Sequence, residues 1–151
     1  MSLFLMVLMS CKAELPAAVP GHLRLCPATP NCVSSEAYSA DAQHWIAPFQ
    51  PPVGQGMPND ALVRLRTIVA GMPRTIIVGG GPTWFTATFS SRFWGFVDDV
   101  ELRVDRAAGV VHVRSASRTG QSDLGVNRER VEAIRAAWVS SFPTVSRSEG
   151  P

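Results

Sequence analysis

Apolar residues recur along the second half of the chain at the spacings of helices and strands. Leu62, Leu65 and Val69 repeat at the period of one amphipathic helix. A longer apolar stripe that starts at Leu124 predicts a second helix over residues 124–141, with charged residues on its other side.

Runs rich in β-branched and aromatic residues predict four strands, over residues 75–78, 84–89, 97–105 and 110–117. Residues 79–81, all glycine, are interpreted as the turn between the first two strands. A four-residue turn between the last two strands places Leu102 opposite Val113 and Glu101 opposite Arg114. Apolar pairs then share one face and charged pairs the other, as a half-covered antiparallel sheet requires.

These elements predict an α+β fold. It has a four-stranded antiparallel sheet with two helices on one face, after an irregular, disulfide-pinned N-terminal segment. Residues 1–10 are interpreted as a signal, 11–25 as a tether, 26–142 as a single domain and 143–151 as a flexible tail.

The first residues resemble a bacterial lipoprotein signal. Residues 2–9 are almost wholly apolar and lead to Ser10 and Cys11, but they are too few to span a bilayer. The resemblance implies that Cys11 is lipidated and that the protein is membrane-anchored in the cell envelope, facing the periplasm. Lys12 after the cysteine favours the outer membrane over the inner. No charged residue precedes the apolar run, so a wrongly assigned start codon or a chance apolar start remains the alternative.

Two further cysteines, Cys26 and Cys32, are separated by a proline-containing stretch that bends the chain back on itself. In an oxidising periplasm such a pair is expected to form a disulfide. The alternative is a metal site completed by His22 and His44, although the spacing fits no standard zinc pattern. We therefore expect no metal and no cofactor.

Composition narrows the class of protein. The chain of 151 residues is 46% hydrophobic and 17% charged, which suits one globular domain rather than a disordered chain. The net charge is only +2, and the basic residues are scattered without a block of like charge. No nucleic-acid partner is expected.

Three motifs make the chain similar to the family called domain of unknown function 1499. They are LCP…PNCVSS over residues 25–35, FVDDV over 96–100 and RSASRTGQSDLGVNRERVE over 114–132. The resemblance covers about residues 22–142 and implies a setting in bacterial envelopes or plastids. It implies no activity and no catalytic residues.

The third motif holds most of the candidate chemistry. Ser115 and Ser117 continue the inward-facing row of their strand, and the register places Asp98 opposite Ser117. Polar groups at such positions are hydrogen-bonded or wet, so either a polar latch or a polar-ended cleft is expected. Asp98 is expected to pair with Arg118 or Arg128.

The start of the last helix is the best candidate anion site, because free N–H groups and basic residues meet there. Arg114 is interpreted as the partner of Glu101 in a surface ion pair, with binding of a carboxylate or phosphate as the alternative. The other candidates of this site are Arg118, Asp123, Asn127 and Arg128.

These features favour a non-enzymatic envelope lipoprotein that binds a small amphiphilic or anionic ligand or an envelope protein. Ser117 lacks a base, because His112 points to the opposite face of the sheet. The alternative is a hydrolase acting on an envelope ester or glycan through Asp98, Ser117 and Arg118.

Overall fold

The computed structural model describes residues 21–53, 56–92 and 95–142, and its architecture is α+β. The lipoprotein-type signal, Cys11 and the tail at 143–151 lie outside the described residues. In chain order the elements are β1 (Cys32–Ser34), α1 (Pro58–Ala70), β2 (Thr75–Gly81), β3 (Trp84–Ser90), β4 (Val97–Asp105), β5 (Val110–Ser117) and α2 (Val126–Ser140).

The strands form one antiparallel sheet in the order β1-β5-β4-β3-β2. One face packs against both helices and supplies the core, in which Leu102 and Val113 of the sheet meet Leu65 of α1 and Ile134 of α2. The predicted register of β4 and β5 is confirmed, including the four-residue turn between them. No helix in the described ranges combines the length and the apolar character needed to cross a membrane.

The sheet has five strands, so the prediction of four was wrong. The missed strand, β1, is only three residues long and pairs with β5 at one edge. A strand this short carries too few residues for an alternating pattern to be recognised. The predicted disulfide between Cys26 and Cys32 is present beside it, with the two Cα atoms 5.6 Å apart. The alternative metal site is thereby excluded, because these cysteines are not free thiolates.

The three glycines at 79–81 lie within β2 and do not form the turn, which lies at Pro82 and Thr83. They pair with β3, where the side chain of Trp84 approaches this part of β2 closely. A Cβ atom on Gly81 would lie 3.0 Å from Nε1 of the indole, and one on Gly79 would lie 3.7 Å from its ring edge. Gly81 therefore makes room for the large aromatic side chain of Trp84 on the neighbouring strand.

Helix α2 begins at Val126, two residues later than predicted. Leu124 does not join the apolar stripe, since it is 92% exposed and has a left-handed backbone with φ 54°. Gly125, with φ 86°, also has a left-handed backbone and completes the turn that leads into the helix. Asp123 then accepts the N–H groups of Gly125 at 3.0 Å and Asn127 at 2.9 Å, so it caps the helix from outside.

Candidate functional site

Four of the candidate residues meet at one end of the sheet, on the face that packs against the helices. Asp98 lies opposite Ser117, as the register predicted. Asn127 is fully buried; its Oδ1 accepts a hydrogen bond from Ser115 Oγ at 2.6 Å, and its Nδ2 donates to Ser117 Oγ at 2.9 Å. The hydrogen-bonding groups of this cluster therefore satisfy one another.

Arg130 completes the cluster and was missed in the sequence. Its Nη2 lies 2.5 Å from Asp98 Oδ2, and its Nη1 donates to Asn127 Oδ1 at 2.7 Å. The guanidinium also lies 4.9 Å from the ring centre of Phe89. Its position three residues after Asn127, on the same side of α2, was the signal that could have revealed it.

Neither arginine that was expected to pair with Asp98 does so. Arg118 lies on the opposite face, where its Nε donates to both oxygens of Asp99, at 3.0 and 3.1 Å. Arg128 donates from Nη2 to the carbonyl oxygens of Ala42, Gln43 and Trp45 at 3.0–3.1 Å. Since β4 side chains alternate between faces, Asp98 and Asp99 take different partners.

The carboxylate of Asp123 occupies the N-terminal end of α2. Burial tends to raise the pKa of Asp123, but hydrogen bonds from the backbone N–H groups of Asn127 and Gly125 outweigh it, and the pKa lies below its usual value. Because the charged Asp123 already accepts these donors, the candidate residues do not form an open anion site at this helix end.

The sheet face turned away from the helices, here called the charged face, carries an ion network. Glu101 Oε1 accepts hydrogen bonds from Arg114, at 2.9 Å, and from Arg24. The prediction of a surface ion pair was wrong, because Glu101 is 2% and Arg114 is 6% exposed. Residues 21–26, which the sequence had largely assigned to the tether, lie over this face and cover the pair. Burial lowers the pKa of Arg114, and the Glu101 carboxylate partly offsets that effect.

Glu36 holds the beginning of the covering segment in place. Its Oε2 accepts the backbone N–H of Leu23 at 2.9 Å and lies 3.4 Å from Nδ1 of His22. Its Oε1 lies 2.5 Å from Nε of Arg103 on β4. Together with the disulfide at Cys26, these contacts fix residues 21–26 as a wall over the sheet.

A cavity of about 660 Å³ lies between this wall and strands β3 and β4. Leu23 lies on the wall side, Trp84 and Thr86 lie on the charged face of β3, and Arg106 lies in the turn after β4. The sequence did not reveal this cavity, because it forms only when residues distant in the chain fold over the sheet. A smaller depression of about 380 Å³ adjoins Asp98 and Arg130 at the other end of the sheet.

Arg106 is the exposed arginine among the residues that line the cavity. Its Nε donates to Asn59 Oδ1 at 3.3 Å, and Asn59 Nδ2 donates to the carbonyl oxygen of Pro82 at 3.0 Å. Asn59 thus links the β4–β5 turn to the β2–β3 turn. Within the described ranges, no carboxylate oxygen lies within 4.0 Å of the Arg106 guanidinium.

One serine, one histidine and one aspartate also come together near the wall. Ser35 Oγ lies 2.9 Å from His112 Nδ1, and His112 Nε2 lies 3.6 Å from Asp105 Oδ2. Burial lowers the pKa of His112, with Glu36 opposing that effect. However, Ser35 is buried and its Oγ accepts the N–H of Val113 at 2.9 Å. This geometry connects the chain after β1 to β5 and leaves the hydroxyl oxygen no open approach for an acyl substrate.

No group of three or more metal-ligating side chains occurs in the part of the chain that the structure describes. The family model described as "Protein of unknown function (DUF1499)" matches residues 22–138, which is more than half of the chain. Comparisons with curated proteins and with solved structures gave no significant match.

Proposed function

The chain belongs to this family, which carries no assigned activity, and we propose that it is a non-enzymatic envelope lipoprotein that binds a small amphiphilic ligand. The cavity under residues 21–26 carries the proposal. Its volume of about 660 Å³ falls within the range of roughly 300–1,000 Å³ that is usual for small-molecule sites. Leu23 and Trp84 offer apolar surface, while Thr86 and Arg106 offer polar groups near it.

Binding is favoured over hydrolysis because the candidate catalytic groups are engaged elsewhere. Asp98 and Ser117 bond within the cluster around Asn127, and Arg118 lies on the other face of the sheet. A nucleophile needs a base in reach and an open approach. The pair of Ser35 and His112 meets the first requirement and not the second.

The lipid anchor is part of the proposal and rests on the apolar run before Cys11. The disulfide near the wall supports an oxidising, extracytoplasmic compartment. Nine residues lie between Cys11 and Gly21, so an anchored domain would hold its cavity within roughly 35 Å of the membrane surface. A cavity so placed is within reach of amphiphiles that leave the bilayer.

Labelled palmitate tests the anchor. Cells that express the full chain should incorporate the label, and the Cys11→Ala variant should not. The Lys12→Ala variant is the control, because it alters the neighbouring residue and leaves the thiol in place. Equal labelling of the Cys11→Ala variant and the unmodified chain would contradict the anchor.

A neutral fluorescent dye, N-phenyl-1-naphthylamine, tests the cavity. It should bind the full chain carrying Cys11→Ser, which lacks an acyl group of its own. Thr86→Phe places a ring inside the cavity and should weaken dye binding about tenfold or more, a change of at least about 1.4 kcal/mol. Ile76→Phe is the matched control, because Ile76 is exposed on the same sheet face but does not line the cavity. Equal affinities in the two variants, with both shown to be folded by circular dichroism, would contradict the proposed site.

A further inference from the structure

We infer that the ligand of this cavity is an amphiphilic anion, with its charged group on Arg106 and its apolar part against Trp84. The inference rests on the proposed function and adds the chemical class of the ligand. It depends on which charges around the cavity are already neutralised and on the shape of the aromatic surface beside them.

The other arginines around the cavity already have carboxylate partners. Arg24 and Arg114 both donate to Glu101, and Arg103 bonds to Glu36. These groups are largely buried, so an incoming anion would have to displace an existing ion pair in order to use them. Of these three arginines only Arg103 lines the cavity, and its charge is already paired with Glu36.

Arg106 differs from these arginines in its exposure and in its lack of a carboxylate partner among the described residues. It is exposed, it lies in the turn at the cavity, and its only hydrogen bond to the described residues runs from Nε to Asn59. Its two Nη groups therefore remain available, and they present paired donors that match a carboxylate or phosphate. Because Asn59 also bonds to Pro82, the guanidinium is held near the cavity.

Trp84 supplies the apolar half of the site. Its indole lies against Gly79 and Gly81, where any Cβ atom would come within 3.7 Å of the ring. The indole is half-buried, and Leu23 is buried on the opposite wall. A chain or ring that lies between them would remove its apolar surface from water, which favours binding.

A cationic ligand is disfavoured by the same arrangement. Glu101 is the most buried carboxylate at the cavity, and two guanidinium groups already share its Oε1. Asp105 lies within 4.0 Å of both Arg103 and His112. Both carboxylates that line the cavity therefore have basic neighbours, whereas Arg106 has no carboxylate oxygen within 4.0 Å among the described residues.

Displacement of the neutral dye from the full chain carrying Cys11→Ser tests the inference. The competitors are decanoate, decanol and decyltrimethylammonium, which share an alkyl chain and differ in charge. Decanoate should bind about tenfold more tightly than decanol, and decyltrimethylammonium should bind no better than decanol. Arg106→Gln should remove the preference for decanoate over decanol, so that the two competitors displace the dye from this variant with similar affinities.

Two controls test whether the preference depends on Arg106 and on the apolar part of the ligand. Arg74→Gln should keep the preference, because Arg74 lines the smaller depression at the other end of the sheet. Acetate and inorganic phosphate, which lack an apolar part, should not displace the dye. Monomeric decanoate and phosphatidylglycerol vesicles then distinguish a free fatty acid from a phospholipid as the source of the anion.

The outcomes separate the two proposals. If the dye does not bind at all, the proposed function fails. If the dye and decanol bind but decanoate binds no more tightly than decanol, the inference fails and the binding function stands. The same conclusion follows if Arg106→Gln still prefers decanoate over decanol. Displacement of the dye by inorganic phosphate alone would also overturn the inference. Because Arg106 is exposed in a turn, its substitution should leave the fold intact, which a urea titration checks.

Discussion

Glu101 Oε1 and Arg114 Nη1 lie 2.9 Å apart across neighbouring strands, and both residues are almost completely buried. Arg24 binds the same carboxylate oxygen from the segment that covers the sheet. The other oxygen, Glu101 Oε2, has no hydrogen-bond partner among the described residues. One buried carboxylate therefore joins two strands of the sheet to the wall of the cavity.

Glu101→Gln should strongly destabilise the fold. The substitution removes the charged carboxylate that Arg24 and Arg114 share, and breaking a buried ion pair typically costs about 3–5 kcal/mol. The free energy of unfolding from urea titration measures the loss. Glu129→Gln, an exposed change in the first turn of α2, should alter it by no more than about 0.5 kcal/mol. Similar small losses in both variants would show that the buried charge does not stabilise the fold.

Asn127→Ala should destabilise the protein by about 3 kcal/mol. The substitution removes partners from Ser115, Ser117 and Arg130, and each unsatisfied buried group costs roughly 1–3 kcal/mol. Urea titration is the measurement, and Gln121→Ala, on the exposed approach to the helix, is the control. A loss below about 1 kcal/mol would mean that water replaces the amide, and the cluster would then be a wet cleft.

The pair of Asp41 and His44 should titrate as a unit. Asp41 Oδ2 lies 2.6 Å from His44 Nδ1, and this hydrogen bond raises the pKa of His44 above its usual value. Stability from the charged imidazole is therefore fully present below the unfolded pKa of about 6.5 and is lost as the pH rises through the higher folded value. Proton NMR titration should show a fall in the pKa of His44 in Asp41→Asn. An unchanged pKa would contradict the assignment of its cause.

Removing the disulfide should affect both stability and binding. Replacing Cys26 and Cys32 by alanine should cost about 2 kcal/mol, since the bridge closes only a short loop. It should also weaken binding of the neutral dye, because the bridge fixes the wall that carries Arg24 and Leu23. Urea titration and dye titration measure the two effects. Lower stability with unchanged dye affinity would separate the bridge from the cavity.

The sequence predicted what depends on local periodicity. The alternation along β4 and β5 was sufficient to place Glu101 opposite Arg114 and Asp98 opposite Ser117, because a shift of one residue would expose the apolar row. It was also sufficient to place α2, apart from its first turn. There, Leu124 fits the apolar stripe by spacing but leaves it because the backbone turns through a left-handed conformation.

What could not be predicted depends on contacts between distant segments. Arg114 resembled a surface residue because nothing in its own strand indicates that Arg24 covers it. The glycines at 79–81 resembled a turn but lie within β2, where Gly81 leaves room for Trp84 of the next strand. The cavity lies between the covering segment and strands β3 and β4, so neither its presence nor the position of Arg106 beside it follows from periodicity.

Photo-crosslinking with a diazirine fatty acid tests the central claim most directly. The full chain would be irradiated in cells that take up the probe, and the modified peptides would be identified by mass spectrometry. We predict crosslinks in residues 83–86 and 101–106. The yield of these crosslinks should fall at least tenfold in Thr86→Phe and should be unchanged in Ile76→Phe. Crosslinks that map to the cluster around Asn127, or that persist unchanged in Thr86→Phe, would contradict the cavity as the binding site.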